Sequence, residues 1–241
     1  MTEVLEKNKK RHHNIVYEII APSGMLRFIY STLDTSKTKK SMNWKDLPID
    51  ETRREIRVGV NPTKSFIKIV DYGRQKLQSK IWSEFENMNI ERDIKAAEIW
   101  LNQTFKKFPG FSGIYLGLDT LNMENGKGTN VEIGLSKSCN PSIFSDEWAY
   151  ECENYGESHL IKGLYEVSDC FNNENQWTSD EQNFTEYLIF LGYSGLVLKE
   201  ALTNLKIEND FLSLWGFHDG DMFFLTQKIG NKNSIVTEID L

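Results

Sequence analysis

The apolar pattern of this chain changes period at Pro109-Gly110, and that switch constrains the fold more than any other feature. Upstream, apolar residues recur at helical spacing; downstream they gather in short runs separated by Gly, Asn and Asp. Asn61-Pro62-Thr63 supplies a cap and a proline for a first helical turn, where the missing N–H costs nothing. Phe66, Val70, Leu77, Ile81 and Phe85 follow on one stripe that also carries Gly73, which predicts a helix over this stretch. A second helix is predicted from near Glu91, with Asp93 also in its first turn, where acids complement the helix dipole. It should bury Ile94, Ala97, Leu101 and Phe105, and Lys106-Lys107 suit its end before Pro109-Gly110. Residues 14–20 and 25–30 flank the turn sequence Ala21-Pro22-Ser23-Gly24 and fit a hairpin or two short helices equally well. Thr35 to Ser41 reads as a polar loop.

Beyond Gly110, residues 111–118 and 130–136 read as strands joined by a connection containing Asn125-Gly126, and Leu160 to Val167 as a third. Thr178-Ser179-Asp180-Glu181 has capping-box spacing and predicts a long helix to about Leu205. Within it, the apolar run from Tyr187 to Leu198 is too short to span a bilayer, which takes ~20 residues, and suits a buried helix. Gly192 and Gly195 would let that helix lie close to a sheet. Residues 211–217 and 222–227 then form a hairpin around His218-Asp219-Gly220-Asp221, and 235–239 a last strand. The fold class is therefore α+β. A largely antiparallel sheet in the C-terminal half is covered by a long helix (about 180–205), with a mainly helical N-terminal half on the same body. Residues 1–110 form the helical, basic part and 111–241 the acidic sheet part of one continuous unit.

Charge sharpens this division. Residues 1–108 hold 21 Lys+Arg and 14 Asp+Glu, a formal charge of +7; the remaining 7 basic and 21 acidic residues give residues 109–241 a charge of −14. The densest acidic stretch interleaves Asp146, Glu147, Glu151, Glu153 and Glu157 with Trp148, Tyr150 and Tyr155. Carboxylates around Trp and Tyr suit a face that captures a basic protein: opposite charge speeds encounter, and aromatics anchor it. The same aromatics could instead fill the core. The eight residues are the candidate partner-binding set, and no catalytic or metal-binding residue is assigned.

Catalytic patterns are sparse. There is no G-x-S-x-G, Walker A loop, G-x-G-x-x-G or H-E-x-x-H. His218-Asp219-Gly220-Asp221 could bind a metal in a hydrolase or phosphoesterase, but Asp-Gly between apolar strands is also a hairpin turn. Asp119, Asn122, Glu124 and Asn125 lack the ligand spacing of a calcium loop. No cofactor is expected. Basic clusters at Lys7 to Arg11, Lys37 to Lys40 and Arg53-Arg54 with Arg57 allow a third reading, a nucleic-acid-binding adaptor, against which stands a net charge of −7. Cys139, Cys152 and Cys170 form neither a disulfide framework nor a zinc pattern, and the N-terminus lacks a secretory core. The expectation is a cytoplasmic, non-catalytic binding protein without membrane spans. An acidic inhibitor of the immunity type, neutralising a basic protein such as a nuclease toxin, fits best.

Overall fold

The computed structural model describes residues 48–77, 81–119, 130–171, 179–217, 222–230 and 232–235. Outside these lie the segments 14–20, 25–30 and 35–41, the two N-terminal Lys/Arg clusters, Asn125-Gly126, the His218–Asp221 loop, Thr178 and residues 236–239.

Among the described residues four helices come first: α1 (Ile49–Val58), α2 (Pro62–Lys76), the single turn α3 (Trp82–Phe85) and α4 (Ile90–Lys107). The cap read at Asn61 forms, its side chain accepting the Lys64 N–H at 2.9 Å, and Asn89 does the same for Arg92 at 3.1 Å. The stripe from Phe66 to Phe85 is not one helix. The helix ends at Lys76, and the extended Leu77 donates its N–H back to Gly73. The chain then returns so that the Trp82 indole lies where a Gly73 Cβ would stand, 2.2 Å from it, and Trp82 Nε1 donates to the Leu77 carbonyl at 2.7 Å. Gly73 therefore serves the close approach of Trp82, and the regular spacing is spread over a helix, a bend and a single turn. After α4, Gly110 takes a left-handed φ of 79°, which suits a residue without Cβ.

The sheet contains β1 (Gly113–Leu118), β2 (Asn130–Ser136), the two-residue strands β3 (Asn154–Tyr155) and β4 (His159–Leu160), then β5 (Phe211–Phe217), β6 (Met222–Ile229) and β7 (Lys232–Ile235). Its order is β3-β2-β1-β5-β6-β7, with β4 also on β2. Pairings are antiparallel except at the centre, where β1 and β5 run parallel, Leu116 opposite Trp215. Of the expected third strand, Leu160 to Val167, only Leu160 lies in a strand, as the second residue of β4; Lys162–Val167 is a helix, α5. Gly163 explains the difference, since a Cβ there would stand 2.5 Å from Asp93 Oδ2 and 2.6 Å from the Tyr193 hydroxyl. A side chain at that point would collide with both groups, and the bare Gly163 N–H reaches Asp93 instead. The last strand begins earlier than read, at Lys232.

Helix α6 (Ser179–Asn204) is the centre of the core. Leu188 to Lys199 is buried without interruption, because α1, α2 and α4 cover one side and β5 and β6 the other. Gly195 meets the sheet as expected: its Cβ would lie 2.6 Å from the Trp215 ring, and 2.8 Å from Ile56 of α1. Gly192 does not; it faces Ile69 and Thr52, letting α2 and α1 approach instead. The alternation along the strands divides the apolar side chains between two faces. Ile114, Leu116, Ile133, Leu135 and Trp215 join the helices in the main core, whereas Tyr115, Leu212, Leu214 and Phe224 form a second, smaller cluster on the opposite face. No helix among the described residues is long and apolar enough to cross a membrane.

Candidate functional site

The second face of the sheet is covered by the acidic-aromatic stretch. After β2 the chain is pinned where Ser112 Oγ donates to the Cys139 carbonyl at 2.7 Å and Gln227 Nε2 to the Pro141 carbonyl at 2.7 Å. Phe144 packs edge-on to Phe224 with ring centres 5.3 Å apart. A short 3-10 turn, Glu147–Glu151, then drives Trp148 into the small cluster beside Tyr115, Cys139 and Leu214, where it is 7% exposed. Glycine makes room for it: a Cβ on Gly113 would lie 2.5 Å from the Trp148 ring, and one on Gly134 would lie 2.7 Å from Cys152 Sγ. Trp148 was expected among the partner-contacting aromatics; it is instead the rivet that fastens this strap to its own sheet. Burial pushes the Cys139 thiol up to about 11 and the Cys152 thiol up to about 12, so neither is a thiolate nucleophile at neutral pH.

The strap then passes along the outer edge of β2 to the helical side. There Trp100 Nε1 of α4 donates to the Glu157 carbonyl at 2.7 Å, and the His159 ring stacks on Trp100 with centres 4.9 Å apart and planes 18° from parallel. Held at both ends, the strap packs Ala149 and Cys152 beside Trp148 and turns its carboxylates and tyrosines outward. Tyr150 is 63% and Tyr155 58% exposed, with Ile143 and Leu160 exposed as well. Asp146, Glu147, Glu151, Glu153 and Glu157 are all exposed. Glu153 accepts the Lys137 backbone N–H at 2.9 Å, which holds its carboxyl below the usual range. Asp146, Glu147, Glu151 and Glu157 have no ion-pair partner among the described residues. Residues 138–161 contain no Lys or Arg to supply one locally. Seven of the eight candidate residues thus share one exposed strap, and only Trp148 points inward.

A second polar cluster was not legible as such. Asp93, read only as a first-turn acid, is 1% exposed. Its Oδ2 accepts the Gly163 N–H at 2.7 Å and the Tyr193 hydroxyl at 2.9 Å, and its Oδ1 accepts Arg92 Nε at 3.0 Å. Arg92 also makes a two-pronged bond to Glu166, both prongs at 3.0 Å. That bond lowers the Glu166 carboxyl and helps raise the Arg92 guanidinium. Burial, then Asp93, raises the Tyr193 phenol above its ordinary value. Each acid here is met by donors from other elements, so the cluster ties α4, α5 and α6 together. Local sequence carries no sign of it, because the partners of Asp93 lie 70 and 100 residues away.

Several basic residues within the described region are engaged by the fold. Arg53 lies 4.5 Å over the Phe223 ring and 3.8 Å from Asp50, and Lys68 pairs with the buried Glu55 at 3.1 Å. Lys199, 3% exposed on α6, donates to the Gly59 carbonyl at 2.9 Å, and burial lowers its pKa. Among the described residues no three His, Cys, Asp or Glu side chains are grouped to hold a metal ion. No protein-family model matches this chain, and neither the curated proteins nor the solved structures yield a match.

Proposed function

We propose that this protein is a non-catalytic binding protein of the inhibitor or immunity type, and that the outer face of the 146–157 strap captures a basic protein such as a nuclease toxin. One observation carries the reading: four exposed carboxylates without cationic partners among the described residues alternate with two exposed tyrosines on a strap fastened from behind by Trp148. Uncompensated charge on one face raises the local potential and speeds association with a cationic partner. Tyr150 and Tyr155 supply large, stiff contact area with a hydroxyl at the tip, the chemistry of interface anchors. Because the strap is already packed on the sheet, little ordering entropy remains to be lost on binding.

A panel of small basic nucleases serves as probe, with decalysine as the control for non-specific attraction. The wild-type protein should inhibit at least one nuclease, with an association rate that falls as salt rises. Combining Asp146→Lys, Glu147→Lys, Glu151→Lys and Glu157→Lys should slow association sharply, while Tyr150→Ala should chiefly speed dissociation, by about 2 kcal/mol or more. A folded fourfold variant that associates at the wild-type rate would remove the strap as the binding face.

A further inference from the structure

We propose that His159 is a pH-sensitive latch: its neutral ring clamps the C-terminal end of the acidic strap to α4, and its protonation releases β4 and the residues around it. The geometry is that of a closure with one weak point. β4 is two residues long, His159 pairing with Val131 and Leu160 with Asn130. The other ties at this end are the β3 pairing of Tyr155 with Gly134, the Trp100–Glu157 hydrogen bond, the Gly156 N–H to the Ile133 carbonyl at 3.0 Å and the stacked ring itself. His159 Nε2 is shielded from solvent and has no hydrogen-bond partner among the described residues. A neutral imidazole tolerates one nitrogen against an apolar wall, whereas the imidazolium has two N–H donors and a charge, each needing a partner or water.

The groups facing His159 set the direction of the switch. From α4, Asp93 attracts a proton toward the ring, but its carboxylate is already taken by Arg92, Tyr193 and the Gly163 N–H. β2 presents the apolar Val131 at the paired position, and the strap's own Glu157 points to solvent. Burial outweighs the pull of Asp93, so the imidazole is held below its ordinary value of 6.5. A ring that is a weaker base in place than when freed binds its proton preferentially in the freed state. The clamp is therefore complete above pH 6.5 and weakens as pH falls through 6.5 toward the lowered value. Its consequence for function rests on the reading of 146–157 as a docking face, since a released edge would loosen Glu157 and Tyr155; the latch itself needs no partner.

Hydrogen-exchange protection of the 154–161 amides, corrected for the intrinsic rate at each pH, tests the latch on the free protein. Between about pH 7.5 and about pH 5 the wild type should lose up to tenfold in protection for each pKa unit by which the ring is depressed. His159→Phe, which keeps a stackable ring and cannot be protonated, should hold a flat profile. Parallel profiles in the two proteins would overturn the latch, as would an NMR titration of the wild-type imidazole giving a midpoint at or above 6.5. The titration decides the matter even if the variant folds poorly. Loss of pH response alongside intact nuclease binding defeats the latch alone; an intact response without binding defeats the docking face alone.

Discussion

The acids of the helical region and those of the strap are alike in chemistry and opposite in use. Glu55 sits buried between Lys68 Nζ at 3.1 Å and the Tyr72 hydroxyl at 3.3 Å, and Arg74 takes both Asp71 and Glu86. Asp93 and Glu166 share Arg92. On the strap, four carboxylates of five are exposed and have no cationic partner among the described residues. The difference teaches that acidity by itself says little about function: an acid that has met its donor is committed to the fold, and one that has not is free to meet something else.

The sharpest way to break this contrast is Asp93→Ala. It leaves the Gly163 N–H and the Tyr193 hydroxyl without their acceptor and Arg92 with only Glu166, so unfolding free energy in urea should drop by about 3–5 kcal/mol. A loss below about 1 kcal/mol would place Asp93 with the uncommitted acids. Trp148→Ala comes next, at about 3 kcal/mol by the same measurement, because a large ring leaves a cluster whose glycines cannot close the gap. A change within about 0.5 kcal/mol would mean that the strap is not riveted by this side chain. Gly195→Leu should cost about 1–3 kcal/mol through overpacking against Trp215 and Ile56; an unchanged midpoint would contradict the close approach of α6 to the sheet.

At the small end, Asp146→Ala, Glu147→Ala, Glu151→Ala and Glu157→Ala should each leave stability within about 0.5 kcal/mol, and together should not lower the melting temperature. A marked loss from any of them would show a structural commitment of that acid. Acid titration separates the sets once more. Glu166 and Glu153 have lowered values in the fold, so their stabilisation is complete above the ordinary value of 4.5 and disappears as pH falls through the lowered one. Arg92→Gln should flatten the Glu166 part of that loss, read as the slope of unfolding free energy against pH.

Much of the architecture was legible because it is written locally. Asn61-Pro62, the acids opening α4, Gly110 and the apolar run of α6 each state their role within a few residues. What escaped depends on distant neighbours. The short helix α1 is built from mostly charged residues and buries Thr52, Glu55 and Ile56, a stripe with one apolar member. The residues of α5 resemble a strand until Asp93 and Tyr193 are known to occupy the space beside Gly163. Hairpin signals predict antiparallel neighbours and are silent on β1 and β5, which pair across a long intervening stretch. For the strap, composition announced the acids and tyrosines, but the inward turn of Trp148 depends on the space left by Gly113, on a strand far from it in sequence.

The parallel pair at the centre of the sheet has a consequence for the order in which the protein can assemble. Gly113 of β1 meets Leu212 of β5, about a hundred residues later in the chain. During synthesis the N-terminal helices emerge long before α6, whose apolar sides they are shaped to hold, and β1 waits longer still for its central neighbour. Until β5 is made, the nascent chain therefore carries unburied apolar surface that is prone to mispair. The sheet-side wall of α6 is built from β5 and β6, both made after it, so burial of α6 should follow their synthesis.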